Sequence, residues 1–367
     1  LSKEQQEIII KLVKEKNFGL LEFELENIVP KNKNPFLLNL FGVSKISKKS
    51  SNKKDAIEAQ KLFREAYVKD NKFKDALLNY SKISFKLLDN TEHVSNVLAF
   101  LEEYKTRNGY DSKINLLIAD ANFYLSNANE TILSLKEIIE KNDETALNRI
   151  NFLYNIQYTN LIKQKEYIQY CKKFYEKIEL FDKKILNDFS FKKNPSKLRV
   201  GFFSGDLRNH SVARFLEGVL KELNLQNKFE IVAFNNSLEK FKDEIKKKLK
   251  SFFDEWYELK NLKDLEAINL IRDKKISILF DMTGFSKGTR PAIFRNRSAP
   301  IQISWIGYCN TQGIKEIDYL IADENLIKKN EENLYEEKII KLPKIWSTHS
   351  KIELNVEVNE LPAIKNG

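Results

Sequence analysis

The chain is short of the residues that build metal centres and covalent staples. Among 367 residues it has two cysteines, Cys171 and Cys309, far apart in sequence, and three histidines. No disulfide framework and no zinc-ligand spacing can be assembled from these, so no metal is expected, and the pattern suits a reducing cytoplasm. Uninterrupted apolar runs of membrane-spanning length are also missing, which excludes a transmembrane helix. The first residues, Leu1-Ser2-Lys3-Glu4, carry neither an initiator Met nor the apolar core of a signal peptide, and a partial or trimmed chain is the expectation.

Glycine is scarce and unevenly placed. Residues 1–200 hold only Gly19, Gly42 and Gly109, whereas the remainder holds eight. Arginine follows the same division, with seven of ten beyond position 198. Long stretches without Gly or Pro favour uninterrupted helix, while Gly-punctuated apolar runs read as strands and tight turns. The composition therefore predicts a helical domain over 1–190 and an α/β domain over 197–367, joined by a linker at 191–196. The net charge of +10 is spread over lysines such as Lys53-Lys54 and Lys246-Lys247-Lys248, which fall on solvated helix faces rather than in a stripe. A nucleic-acid partner is not expected from that distribution.

In the first half, Ala59, Phe63 and Ala66 put a small, a large and a small side chain on one helix face, which lets a neighbour approach closely. Related faces recur at Val94, Leu98, Leu101 and at Thr131, Leu135, Ile138. The offsets, 59 to 94 and 94 to 131, lie near the tetratricopeptide period of about 34 residues. Helix pairs 73–88/92–107 and 112–126/129–141 fit that layout, although the consensus Gly and Pro positions are mostly lost, and an ordinary helical bundle stays open. Tyr80, Tyr104, Phe123 and Tyr124 read as packing residues between helices. Further helices over 146–182 are read as a bridge to the next domain.

The second half alternates strand and helix: strands at 198–203, 229–234, 256–259, 276–280, 301–306, 318–322 and 338–342, with helices at 211–224, 238–252, 262–274 and 290–297. That alternation predicts a parallel sheet covered on both faces. In such a sheet ligands bind at the carboxyl ends of the strands, near the reversal of strand order. Three unusual loops lie at strand ends. The first, Ser204 to Ser211, contains Asp206, Asn209 and His210 beside a helix N-terminus, where backbone N–H groups favour an anion. His210 could orient a sugar or phosphate, or move a proton; capping its own helix is the competing role. The second, Asp281 to Pro291, offers Gly288 for close approach and Lys287 and Arg290 as charge for a phosphate leaving group. Arg295 and Arg297 read as structural. The third, Trp305 to Gly313, supplies Gly307, Tyr308, Asn310 and Thr311, suited to a hydroxyl-rich ligand. Trp305 reads as core, and Cys309 has no His or Asp partner nearby that would make it a nucleophile. The first loop lacks GxGxxG spacing, which argues against a dinucleotide oxidoreductase.

These segments, in this order, resemble glycosyltransferase family 41, the protein O-linked N-acetylglucosamine transferases and their Spindly-type relatives. The likeness runs through Leu198-Arg199-Val200-Gly201-Phe202-Phe203-Ser204-Gly205-Asp206, Asn209-His210-Ser211 and Lys287-Gly288-Thr289-Arg290. It continues in Arg297-Ser298-Ala299-Pro300-Ile301-Gln302-Ile303-Ser304-Trp305-Ile306-Gly307-Tyr308, then Asn310-Thr311-Gln312-Gly313 and Ile317-Asp318-Tyr319. It covers roughly 198–345. The resemblance implies a two-lobed GT-B enzyme that moves a sugar, N-acetylglucosamine first among candidates, from a nucleotide diphosphate to Ser or Thr of a protein. It places His210 in the active site and Lys287, Gly288, Gly307 and Tyr308 along the cleft. It implies no cofactor beyond the nucleotide-sugar co-substrate, no metal, and an acceptor protein held by the repeats. Two positions depart from the family: Ser211 stands where Pro is usual after His, and Cys309-Asn310 where Pro-Gly is usual after Gly-Tyr. Only one lobe is read here, so a fragment with little activity of its own is expected. A repeat-based interaction protein with an inactive Rossmann-like lobe is the alternative.

Overall fold

The computed structural model describes residues 1–87, 91–143, 145–181, 196–237, 243–349 and 357–366. Residues 191–195 of the expected linker 191–196 and the first residues of the expected helix 238–252 lie outside the described residues. The chain divides into two compact units, Leu1–Ile162 and Lys163–Gly367.

The first unit is helical: α1 (Lys3–Lys14), α2 (Phe18–Ile28), α3 (Pro35–Ser47), α4 (Lys53–Lys69), α5 (Lys74–Leu87), α6 (Thr91–Asn108), α7 (Ser112–Tyr124), α8 (Ala128–Glu140) and α9 (Ala146–Asn155). Helix starts are written locally. Ser2 and Gln5 form a capping box, as do Asn52 and Asp55, and Asp111 caps α7, each satisfying N–H groups that the helix cannot. Successive helices pack into a run of hairpins with one continuous core from Ile9 to Ala121, the arrangement of stacked helical repeats. The expected Ala59, Phe63, Ala66 face is fully buried. Gly42 of α3 lies so close to it that a β-carbon there would stand 2.5 Å from the Phe63 ring. Tyr80 and Tyr104 are buried packing residues as read, whereas Phe123 and Tyr124 are exposed at 47% and 41%.

The second unit opens with α10 (Gln164–Glu176), followed by β1 (Leu198–Ser204), α11 (Ser211–Leu225), β2 (Phe229–Asn235), α12 (Glu244–Lys250), β3 (Glu255–Glu258) and α13 (Asp264–Asp273). Then come β4 (Ile278–Asp281), α14 (Pro291–Arg295), β5 (Ile301–Ser304), β6 (Tyr319–Ala322), β7 (Lys338–Lys341) and α15 (Pro362–Asn366). The seven strands are all parallel, in the order β3-β2-β1-β4-β5-β6-β7. Side chains alternate between faces, so Phe202 joins Leu216 and Leu220 of α11, while Phe203 meets the ring of Phe294 in α14 at 5.4 Å. The division after Ile162 falls upstream of the boundary expected from composition. The reason is α10, whose buried Tyr167, Cys171, Phe174 and Tyr175 pack into the sheet unit instead of extending the helical one. No helix among the described residues is long and apolar enough to cross a membrane.

Candidate active site

The strand order fixes where a ligand can enter. From β1 the chain builds outward through β2 to β3, then returns to the other side of β1 and continues through β4 to β7. The reversal lies between β1 and β4; in open parallel sheets the crevice that takes ligands forms outside the carboxyl ends at such a place, and the first two loops follow these two strands.

These loops touch. A β-carbon on Gly205 would stand 2.7 Å from the Lys287 carbonyl oxygen and 2.9 Å from the Gly288 α-carbon; one on Gly288 would stand 2.9 Å from the Gly205 α-carbon. Gly288 also holds φ +87, the left-handed region that glycine adopts without strain. Gly205 N–H donates to Thr283 Oγ1 at 3.1 Å, and Asn236 Nδ2, from the end of β2, donates to the Gly288 carbonyl at 2.9 Å.

His210 is the N-cap of α11. Val212 N–H donates to its Nδ1 at 3.3 Å, so a neutral ring carries its hydrogen on Nε2. Nε2 faces Asp206 Oδ1 at 3.8 Å, beyond hydrogen-bond reach, and that oxygen takes Arg208 at 3.1 Å. The imidazole thus caps its own helix with Nδ1, the competing role named from the sequence, and sets Nε2 on the Asp206 side. Asn209 is held at two points, its N–H donating to Asp243 and its Oδ1 accepting from Arg214. Lys287 is exposed and no carboxylate among the described residues pairs with it.

Other expected site residues have structural duties. Arg290 was expected beside a phosphate; instead its guanidinium binds Asp264 at 2.6 Å and the Leu259 carbonyl at 3.2 Å, which neutralises it and turns it to α13. Gly307 is pressed on the second loop, where a β-carbon would lie 1.7 Å from the Met282 oxygen, and Ile306 before it is forced to φ +66. A β-branched residue rarely adopts that conformation, and such strain gathers at functional sites. Tyr308, Asn310 and Thr311 face α10. The Tyr308 hydroxyl lies 2.9 Å from that of Tyr167, which donates to the Thr311 carbonyl at 2.8 Å. The Asn310 amide makes a reciprocal pair with Gln164. Arg295 and Arg297 pair with Glu316 and Asp318, and Trp305 is buried, all as read. Desolvation pushes the Cys309 thiol upward, the wrong direction for a nucleophile.

Beneath the loops lies a polar cluster that the sequence reading did not single out. Asp281, fully buried, accepts from Thr283 N–H (2.9 Å), Gly284 N–H (3.2 Å) and Gln312 Nε2 (2.5 Å). Gln312 N–H donates to Glu337 Oε1 at 2.8 Å, and Tyr175 donates to Gln312 Oε1 at 3.1 Å. Burial pushes both carboxyls up, Glu337 to about 7, because no cation among their partners offsets desolvation. The one signal available was a polar residue ending an otherwise apolar strand. No group of His, Cys, Asp and Glu suited to a metal ion occurs among the described residues.

Comparison with known proteins gives a consistent picture. The profile of glycosyl transferase family 41 matches residues 130–355, more than half of the chain. The rice protein named probable UDP-N-acetylglucosamine–peptide N-acetylglucosaminyltransferase SPINDLY is 30% identical over 176 residues, 46% of this chain and 18% of that protein. An Arabidopsis thaliana protein, the corresponding probable transferase SEC, is 28% identical over 162 residues, 44% of this chain and 16% of its own length. The chain thus matches about a fifth of the length of these relatives. An O-GlcNAc transferase structure from Thermobaculum terrenum superposes with a TM-score of 0.65 at 20% identity, covering 80% of this chain and 55% of that one, a likeness of fold.

Proposed function

The chain belongs to glycosyl transferase family 41, and from that premise we propose that it takes part in moving a sugar from a nucleoside diphosphate sugar to Ser or Thr of a protein. The observation that carries this reading is the pair of touching loops at the β1/β4 reversal, one containing His210 and the other carrying the exposed Lys287. In this reading the sheet unit is one lobe of a GT-B enzyme. Lys287 and the positive end of α11 stabilise the leaving diphosphate. Gly205, Asp206, Asn209 and Gly288 shape the wall it meets, and no metal is invoked. His210 in its capping state donates from Nε2 to a ligand oxygen. To take a proton from an acceptor hydroxyl at Nε2 it must first shift its hydrogen to Nδ1 and release the Val212 N–H. The helical repeats hold the acceptor polypeptide along their surface. The relatives' names make N-acetylglucosamine the first donor to test.

The experiment measures transfer from labelled nucleotide sugars by the gene product containing this chain, with His210→Asn, His210→Ala and Lys287→Ala beside it. Asparagine is itself a good N-cap, so His210→Asn keeps the helix start while removing the imidazole. A loss of about a hundredfold in both His210 variants supports the reading. Full activity in His210→Asn would remove the imidazole from the reaction and leave it a cap. The tying of Arg290, Asn310 and Thr311 to structural partners favours a second reading, an interaction protein with an inactive lobe; that reading gains if no donor is transferred while a protein partner is still bound.

A further inference from the structure

One helix addresses the third loop almost residue by residue. Along α10, Gln164, Tyr167, Cys171 and Tyr175 are spaced 3, 4 and 4, a single helical stripe. Gln164 pairs with Asn310 and Tyr167 with Tyr308 and Thr311; Cys171 lies against Gly313, where a β-carbon would meet its own at 2.5 Å; Tyr175 donates to Gln312. Gly313 holds φ +70, so glycine alone permits that approach without strain.

From Gln312 the contacts continue inward. Its side chain is 1% exposed and is held at both ends, Oε1 by Tyr175 and Nε2 by Asp281. The other oxygen of Asp281 gathers the N–H groups of Thr283 and Gly284, the first turn of the second loop, where Gly284 sits at φ +56 with its α-carbon against the Tyr308 ring. Thr283 Oγ1 then receives Gly205 N–H of the first loop. One buried carboxylate, oriented by one amide, thereby fixes backbone from two loops that meet at the reversal of strand order. A buried acceptor with only neutral donors tolerates no loss of a donor, because each one left unmade exposes charge to an apolar surrounding.

We propose that Gln312 and Asp281, clamped by Tyr175 of α10, are the positioning residues of this crevice, holding the Gly205 and Lys287–Gly288 backbones in the separation that receives the anionic end of the donor. The role in donor binding rests on the transfer function proposed above; the positioning itself does not. Neither side chain touches substrate in this account. Both act through Thr283 and Gly284.

Two variants of the gene product containing this chain test it: Gln312→Met, which keeps volume and removes both polar atoms, and Tyr175→Phe, which removes only the hydroxyl holding Gln312. Amide exchange by mass spectrometry is read over 204–206, 283–288 and the strands, and donor KM, acceptor KM and kcat are read in the transfer assay. The expected result is at least about tenfold faster exchange in the two loop segments of Gln312→Met, with a smaller increase in Tyr175→Phe and strand protection retained. Donor KM should rise about tenfold while acceptor KM is unchanged, a split that a merely loosened core would not produce. Loop exchange within twofold of wild type in both variants overturns the proposal, as does an equal loss of protection in loops and strands. If the wild-type gene product containing this chain transfers no sugar, the function falls, but the exchange data still decide the positioning.

Discussion

At the residue scale, glycines separate what a turn needs from what a helix merely tolerates. Gly307 lies against the Met282 carbonyl with no room for a β-carbon, so Gly307→Ala should destabilise by about 3 kcal/mol or more in a urea melt. Gly19, with nothing within 4 Å of a β-carbon, should behave oppositely: Gly19→Ala should gain about 0.5 kcal/mol by restricting the unfolded chain. His210 shows why the sequence left two roles open. An imidazole at an N-cap has two nitrogens, and only the structure shows that Nδ1 accepts from Val212 N–H while Nε2 stands 3.8 Å from Asp206 Oδ1. Arg290 shows the converse. Its place in a glycine loop read as a phosphate ligand, but Asp264, twenty-six positions away, claims it, and a partner at that distance leaves no mark on a local motif.

At the element scale, α10 and the start of β7 meet through the third loop, and Glu337 gives that meeting a pH dependence. Its folded value of about 7 stands above the ordinary 4.5. The folded state therefore keeps its proton between those limits while the unfolded state loses it, so this group's contribution falls as pH rises from 4.5 to 7 and is flat above. The change is about 3 kcal/mol. Glu337→Gln should flatten it: urea melts at pH 5 and pH 8 should differ less in the variant than in the wild type, with the variant's relative gain at pH 8. An unchanged difference would mean that Glu337 is hydrated in the folded state. Helices and strands themselves were legible. The expected strands at 198–203 and 229–234 and the helix at 211–224 match β1, β2 and α11, because apolar periodicity and caps are local. The strand expected over 301–306 ends instead at Ser304; Ile306 turns to positive φ where Gly307 N–H donates to the Trp305 carbonyl, and the turn lays Gly307 against the Met282 carbonyl, a tertiary contact.

At the scale of the whole molecule, the two units carry separate cores, and the division at Ile162 assigns α10 to the sheet. A chain of residues 163–367 should unfold cooperatively in urea. A chain of 197–367, without α10, should aggregate, since it uncovers Phe285, Tyr308 and the Asp281–Gln312 pair. Equal solubility and cooperativity of the two would return the boundary to the position composition suggested. The family match from residue 130 to 355 spans this helix, whereas the motifs legible by eye began only at 198.

The sequence by itself determined the class of each half, the parallel alternation of the second, the loops at strand ends and the family they resemble, because those depend on periodicity, caps and short motifs within a few residues of one another. Only the tertiary structure decided which loop residues are held by partners distant in sequence. Hydrogen bonds such as Gln312 to Asp281, Tyr167 to Thr311 and Arg290 to Asp264 join positions 26 to 144 residues apart, and only packing brings such groups together.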